Sequence, residues 1–340
     1  MVTVQTSEVK KLMKQALELR GISYDNAEFI IDDYMESELE GHPTHGLSKF
    51  LMIDAGLSER EGETEVIKKT TCFAKLNGHR ELGHIAALKA VRMSIEMARQ
   101  TGIGIVALSN ISRYSRVTPY TRLIADAGLI GIVTNNGGPS CVAPFGGRQA
   151  IFGTNPLSFG FPGKECSYVF DFATAEKVWG AVRQCIVEDK PLPANSFLDK
   201  DGNFTTDPQR AEAGVPFGGP KGNALCFALE VMTGAFIGAR MGLEARDEFD
   251  LGYLFTAFSP DMFTSLSCFQ EEMERIANDV RTCPPRSEGQ QVYVPGEIFG
   301  TTLASARSRS ELEIPEDVYE RLKKMSVSME GGYENNRLMN

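Results

Sequence analysis

Residues 135–163 read NNGGPSCVAPFGGRQAIFGTNPLSFGFPG, and the fold turns on how this stretch is understood. Glycine and proline recur throughout it, yet it lies in the interior of the chain and carries aromatic and apolar residues between its turns. Such a segment is more than a linker: it predicts turns packed against a core, with many backbone N–H groups left to meet a ligand. Working outward, "IGIVALSN" (103–110) predicts a buried strand, residues 120–127 a short helix, and "LIGIVTNN" (129–136) a second strand. A strand–helix–strand unit running into a glycine-rich stretch invites a Rossmann reading. Neither GxGxxG nor GxxxxGK[ST] occurs in the chain, however, and the regular βαβ rhythm of a doubly wound sheet is missing.

The flanks are plainer. Val9, Leu12, Met13, Ala16 and Leu17 recur at helical spacing, with Thr6 or Ser7 to cap the start and Gly21 to stop it. A second helix is predicted to about Leu39, opened by a capping box of Asp25 and Glu28 and ended at Gly41. A third spans residues 83–100, closed by Gly102. "SYVFDFATA" (167–175) predicts a strand leading into a helical segment through Trp179, and Asp201-Gly202 a turn. The apolar run 224–239 predicts a largely buried helix. "YLFTAFSP" (253–260) and "QVYVPG" (291–296) predict late strands, and Pro315 begins a charged terminal helix.

Composition excludes several classes. The 340 residues are 42% hydrophobic and 24% charged, a globular balance. No uninterrupted apolar run reaches the about 18 residues of a membrane span, and MVTVQTSEVKK lacks the order of a secretory signal. The net charge is −10 and no basic stripe is visible, which argues against nucleic acid as a partner. Seven cysteines, an odd number without a CxxC pair, predict reduced and buried thiols in a cytoplasmic protein.

Three motifs carry chemistry, each beside a plainer reading. His42 and His45 stand in "GHPTHG" at a helix exit; they are three apart across a proline, a poor zinc arrangement, and no metal site is expected. A surface loop and an acid/base histidine remain open, since imidazole titrates near neutrality. In "GGPKG" (218–222) the glycines form either a turn before a buried helix or an anion cradle made with Lys221. Asp171 sits among Phe170 and Phe172: it either caps a helix starting at Ala173 or Thr174, or pairs with a catalytic histidine.

Taken in order, "THGLSKF", "VAPFGGRQAIFGTNPLSFGFP", "VFDFATAEKVWGAV", "DKDGNFTTDP", "VPFGGPKGNAL" and "VYVPGE" resemble the malate/L-lactate dehydrogenase family, NAD(P)-dependent oxidoreductases that include ureidoglycolate dehydrogenase and piperideine-2-carboxylate reductase. The likeness runs from the first helix to about residue 325. It implies an α/β (α+β) fold that is not a Rossmann domain, with a mostly antiparallel central sheet flanked by helices. It implies a homodimer, NAD or NADP as cofactor, and a small 2-oxo acid, 2-hydroxy acid or cyclic ketimine carboxylate as substrate. The division it implies is a helical lobe of residues 1–65 with 300–335, a dimerisation region of 66–120 and a dinucleotide-binding domain of 121–299. By the same likeness His45 is the proton donor and Asp171 its partner. Thr44, Lys49, Arg113 and Asn155 face the substrate. Asn136, Phe172, Ala173, Thr174, Lys221, Gly222, Pro295, Gly296 and Glu297 hold the dinucleotide.

The chain departs from this family around one presumed site. Thr44 and Lys49 stand where the motif SHG-x-x-R has serine and arginine, and Arg113 falls roughly where many relatives carry a second histidine. Lysine is a point charge and arginine a planar fork, so carboxylate recognition changes, and arginine is no general base. The segment 242–252 is also shorter than in relatives. An alternative reading follows: a paralogue that keeps the fold but has lost turnover and serves as a binding or regulatory protein.

Overall fold

The computed structural model describes residues 1–41, 45–297 and 308–328. The helical spacing at the N-terminus becomes α1 (Thr6–Leu19), which buries Val9, Met13, Ala16 and Leu17. α2 (Tyr24–Leu39) follows, but not through the expected capping box. Ser23 is the N-cap residue and no side chain caps the helix; Asp25 lies inside the first turn, where its charge meets the positive end of the helix dipole. Two short helices, α3 (Leu47–Phe50) and α4 (Ile53–Ser58), complete the N-terminal part.

The two ends of the chain meet. β1 (Val2–Gln5) pairs antiparallel with β11 (Glu311–Ile314), Val2 opposite Ile314, and α10 (Glu316–Val327) packs beside α1. Met13, Ile30, Phe50, Ile314 and Leu322 share one core there, each with no exposed surface. Full burial of such a side chain is worth about 1.5–3 kcal/mol.

The second core lies against a seven-stranded sheet. Its order is β2 (Glu65–Lys69), β3 (Phe73–Glu81), β4 (Ile103–Ile111), β10 (Gly252–Phe258), β5 (Ile130–Asn135), β6 (Leu157–Phe161) and β7 (Tyr168–Phe172). β3 and β4 run parallel, joined by α5 (Gly83–Thr101); the other five pairings are antiparallel. α5 ends where Gly102 takes φ 87°, a left-handed conformation that glycine adopts without strain. The helix brings Ala86, Ala87, Ala90 and Val91 onto the strands, and α6 (Thr118–Asp126) adds Tyr120 and Ile124. In the strand order the boundary expected at 120/121 falls between the hydrogen-bonded neighbours β4 and β10, so one continuous sheet spans both expected regions.

Beyond the sheet come α7 (Trp179–Glu188), the small ladder of β8 (Phe197–Leu198) with β9 (Ala213–Gly214), α8 (Pro220–Thr233) and α9 (Leu266–Arg281). Three expectations need correcting. α8 is not largely buried: Phe227 (57% exposed) and Met232 (40%) face outward, as does Phe236 (65%) just past its end. "QVYVPG" is no strand, since proline lacks the ladder donor and Gly296 turns the chain at φ 92°. The cysteines are all free, as a reduced protein requires, but only Cys226 is buried; Cys166, Cys268 and Cys283 are exposed. Among the described residues no helix is long and apolar enough to cross a membrane, and no cluster of His, Cys, Asp or Glu is placed to hold a metal ion.

Candidate active site

His45 is exposed at the exit from α2, and its backbone is fixed from two sides. The Ser115 hydroxyl, in the connection from β4 to α6, donates to the His45 carbonyl at 2.8 Å. Two residues on, the Leu47 N–H donates to Glu38 Oε2 at 2.8 Å, and burial pushes the Glu38 carboxyl up despite that bond. Beside Ser115, Arg116 locks the same connection onto α2. Its Nε donates to Asp33 Oδ1 at 3.0 Å and its Nη1 to Glu40 Oε2 at 2.6 Å. Burial alone would raise Asp33, but His84 and Arg116 hold it below its ordinary value. This assigns two histidines to structure. His84 is wholly buried against Asp33, and His79 pairs with Glu65 at the sheet edge. His42 and Thr44 lie outside the described residues.

Two further cations, Arg113 and Arg183, lie within electrostatic reach of Lys49, which follows His45 by one turn. Lys49, in α3, has its ammonium pKa lowered, first by burial and then by Arg113 and Arg183, with Glu248 opposing. Arg113 is tethered to Glu248: its backbone N–H donates to Oε2 at 3.1 Å, and its Nε lies 3.7 Å from the same oxygen. Its Nη1 rests against Gly138, only 3.3 Å from where a Cβ there would sit. Arg183 comes from α7 and escaped the sequence reading, because a lone arginine on a helix gives no sign of which face meets the site.

Two asparagines prove to be framework. Asn155, expected to face the substrate, has no exposed surface and sits at φ 38°. Its Nδ2 donates to Glu230 Oε2 at 2.7 Å and to the Cys226 carbonyl at 3.0 Å, while its Oδ1 accepts from the Gly137 N–H at 3.2 Å. The carboxamide thus holds turns together and leaves no donor for a ligand. Asn136, expected at the dinucleotide, is equally committed: Gly252 N–H donates to its Oδ1 at 2.7 Å, and its Nδ2 donates to the Arg240 carbonyl at 3.0 Å.

The remaining candidates collect around β7. Asp171, paired with Ser158 across the ladder, is exposed; the helix it was to cap is absent, since α7 begins only at Trp179. Phe172 is 37% exposed and meets Phe217 edge-on at 5.9 Å. Ala173 is half-buried, and Thr174 is buried with N–H and hydroxyl both donating to the Thr154 carbonyl. Phe217 N–H donates to the Thr174 carbonyl, which ties this strand exit to the start of α8. There Gly219 is the N-cap residue, Pro220 opens the helix, and exposed Lys221 and buried Gly222 follow. The first N–H groups of a helix have no partner within it and favour an anion. Gly222 has room for hydrogen alone, because a Cβ would collide with the Phe217 carbonyl. On the other side of β7, Gly296 packs on the Val169 carbonyl. Glu297 accepts from Val294 N–H at 2.8 Å and Arg281 Nε at 2.6 Å, and Pro295 is exposed. An aromatic ring, a cationic helix start and a glycine turn around one strand fit the parts of a dinucleotide.

Comparison with known proteins agrees. The family model described as malate/L-lactate dehydrogenase matches residues 4–323. L-sulfolactate dehydrogenase of Methanocaldococcus jannaschii is 29% identical over 327 residues, 93% of this chain and 94% of that protein. A solved sulfolactate dehydrogenase structure from the same organism superposes with a TM-score of 0.86, covering 95% of this chain and 96% of that one at 28% identity. Ureidoglycolate dehydrogenase (NAD(+)) of Escherichia coli O157:H7 is 28% identical over 94% of each chain. Delta(1)-pyrroline-2-carboxylate reductase 1 of Burkholderia ambifaria is 30% identical over 77% of this chain and 81% of its own.

Proposed function

The chain belongs to the malate/L-lactate dehydrogenase family and is an NAD(P)-dependent oxidoreductase; within that family we propose that it acts on a small 2-oxo or 2-hydroxy acid or a cyclic ketimine carboxylate, with His45 as proton donor. The observation that carries this reading is that Lys49, one turn past the exposed His45, feels the charges of Arg113 and Arg183, while Ser115, two residues beyond Arg113, bonds the His45 carbonyl. A cationic cluster next to an exposed imidazole suits an anionic substrate whose neighbouring carbon is reduced.

The residues take the following parts. Phe172, Ala173, Thr174, Lys221, Gly222, Pro295, Gly296 and Glu297 hold the dinucleotide, Lys221 and the first N–H groups of α8 meeting its phosphates. The bound nicotinamide supplies or accepts the hydride. Lys49 orients the substrate carboxylate, and Arg113 and Arg183 receive a second anionic group where the substrate has one. A ring nitrogen of His45 gives its proton to the oxygen or nitrogen on which negative charge develops. Asp171 partners His45 and favours its charged form. Relatives named for sulfolactate and for pyrroline-2-carboxylate support keeping both acid classes, one with two anionic groups and one with a cyclic imine.

The working unit in this reading is a cytoplasmic homodimer. The outward apolar face of α8 around Phe227 and Met232 suits a second copy, and seven free cysteines suit a reducing compartment. The alternative, a paralogue without turnover, is favoured only by arginine standing at position 113. The test is absorbance at 340 nm with NADH or NADPH against 2-oxo acids, with and without a second anionic group, and cyclic ketimine carboxylates. Turnover on any of them supports the enzyme reading and names its substrate class. Dinucleotide binding without turnover across the panel supports the alternative instead.

A further inference from the structure

One buried carboxylate stands apart from the residues assigned to the site: Glu230, on α8 within the apolar run "CFALEVMT". It is 4% exposed, a rare position for a carboxylate without specific partners. Its two oxygens reach in two directions. Oε2 accepts from Asn155 Nδ2 and Oε1 from the Gly242 N–H, both at 2.7 Å. Asn155 in turn accepts from the Gly137 N–H, and Gly138, next in the chain, is the residue on which the Arg113 guanidinium rests. Gly242 is further held by its carbonyl, which accepts from Ser140 Oγ at 3.2 Å. From α8 to the bed of Arg113 the path is thus two hydrogen bonds between buried or half-buried groups and one peptide bond.

We propose that Glu230 is a positioning residue: it fixes the turn that seats Arg113, and so couples the helix whose start meets the dinucleotide to the cations that read the substrate. The inference rests on the functional reading above. Polarity makes the arrangement specific. A carboxylate is acceptor-only, and both atoms that Glu230 meets are donors. A glutamine keeps the size but has one acceptor and one donor, so one of the two N–H groups faces another N–H. With Gly242 still satisfied by the amide oxygen, the conflict falls on Asn155. It is relieved if position 155 accepts from the glutamine amide and still donates to the Cys226 carbonyl. The protonated side chain of Asn155→Asp does both, burial favouring its neutral form, with nearly the same shape and tolerance for a positive φ.

The experiment compares wild type, Glu230→Gln and the double variant Glu230→Gln/Asn155→Asp. It measures the NADH dissociation constant, the binding of oxalate as a 2-oxo acid analogue to the NADH complex, and kcat and KM on the best substrate. Trp179, the chain's only tryptophan, lies on the same helix as Arg183 and offers an intrinsic fluorescence signal. In Glu230→Gln, oxalate binding should weaken and KM rise by about tenfold, as expected of a misplaced clamp, with NADH affinity within about twofold. The double variant should recover most of that loss. The inference is overturned if Glu230→Gln binds oxalate like wild type, if NADH affinity falls in parallel, or if the double variant is no better than the single one. A wild type that binds neither NADH nor NADPH, and no oxalate in the presence of either, overturns the functional reading, and the inference with it. A wild type that binds dinucleotide and oxalate, matched by Glu230→Gln, overturns the inference alone.

Discussion

Gly222→Ala separates stability from cofactor binding. A Cβ at this position would sit well inside 3.0 Å of the Phe217 carbonyl oxygen, where ordinary contact begins only at 3.4 Å. The obstacle is backbone and cannot swing aside. Phe217 is itself held by its N–H on the Thr174 carbonyl and by its ring against Phe172, so the start of α8 has to move. Overpacking of this kind costs about 1–3 kcal/mol, and alanine returns about 1 kcal/mol in helix propensity. The net loss is therefore at most about 2 kcal/mol, a fall in Tm of about 3 °C at that limit for a chain of this length. The effect on binding is larger. Moving the helix start by even one N–H···phosphate bond removes about 1.5–3 kcal/mol from the complex. That corresponds to a roughly 10- to 150-fold weaker dinucleotide. Fluorescence titration with NADH and NADPH, run beside thermal unfolding, reads both quantities. A variant that binds either dinucleotide within about twofold of its wild-type affinity refutes the placement of the phosphates at Lys221 and Gly222.

Further outcomes concern charge and assembly. Asp33→Asn removes one of the carboxylates around Arg116, which keeps Glu36 and Glu40, and should lower stability by about 1.5–3 kcal/mol at pH 7. Since the folded pKa of Asp33 is lowered, its contribution is present above the unfolded value and lost as pH falls through the folded one; denaturant curves of the two proteins should converge in acid. An unchanged gap at low pH would contradict this assignment. The lowered pKa of Lys49 predicts that KM for an acid substrate rises on the alkaline side before the ordinary lysine range is reached. Arg113→Ala, which removes a like charge, should move that limb to higher pH, and a limb that stays in place would count against Lys49 as the carboxylate clamp. Phe227→Asp should convert a dimer to monomers in light scattering, and a dimer that survives it places the interface elsewhere.

The elements most legible in the sequence were those written in local periodicity. α1 shows its apolar stripe over Val9, Met13, Ala16 and Leu17, and α5 announces its end through Gly102. β4 and β5 were readable as buried runs because both enter the core of the sheet. Pairing was not legible: the register of Val2 with Ile314 joins residues at opposite ends of the chain, and nothing local encodes it. α9 was overlooked although Met273, Ala277 and Val280 lie on its inward face, since glutamate and asparagine around them mask the stripe. α8 reads as buried in the sequence because an apolar helix looks the same whether its own core or another surface covers it. At the site, motifs point to segments but not to the bonds within them. Asn155 and Asn136 stand in conspicuous turns, yet their side chains are fully engaged with backbone and Glu230. Glu230 itself was discoverable, being a lone carboxylate in an apolar run.

His45 as the proton donor is the claim on which the rest depends, and a single-turnover measurement tests it most directly. Enzyme with NADH or NADPH already bound is mixed with the best acid or imine, and hydride transfer is followed at 340 nm for wild type and His45→Ala across a pH series. Loss of general acid catalysis should slow the step by about 10²–10⁴-fold and remove the pH limb that belongs to the imidazole, with dinucleotide affinity unchanged. A variant that transfers hydride at the wild-type rate, with the same pH profile, would contradict the account.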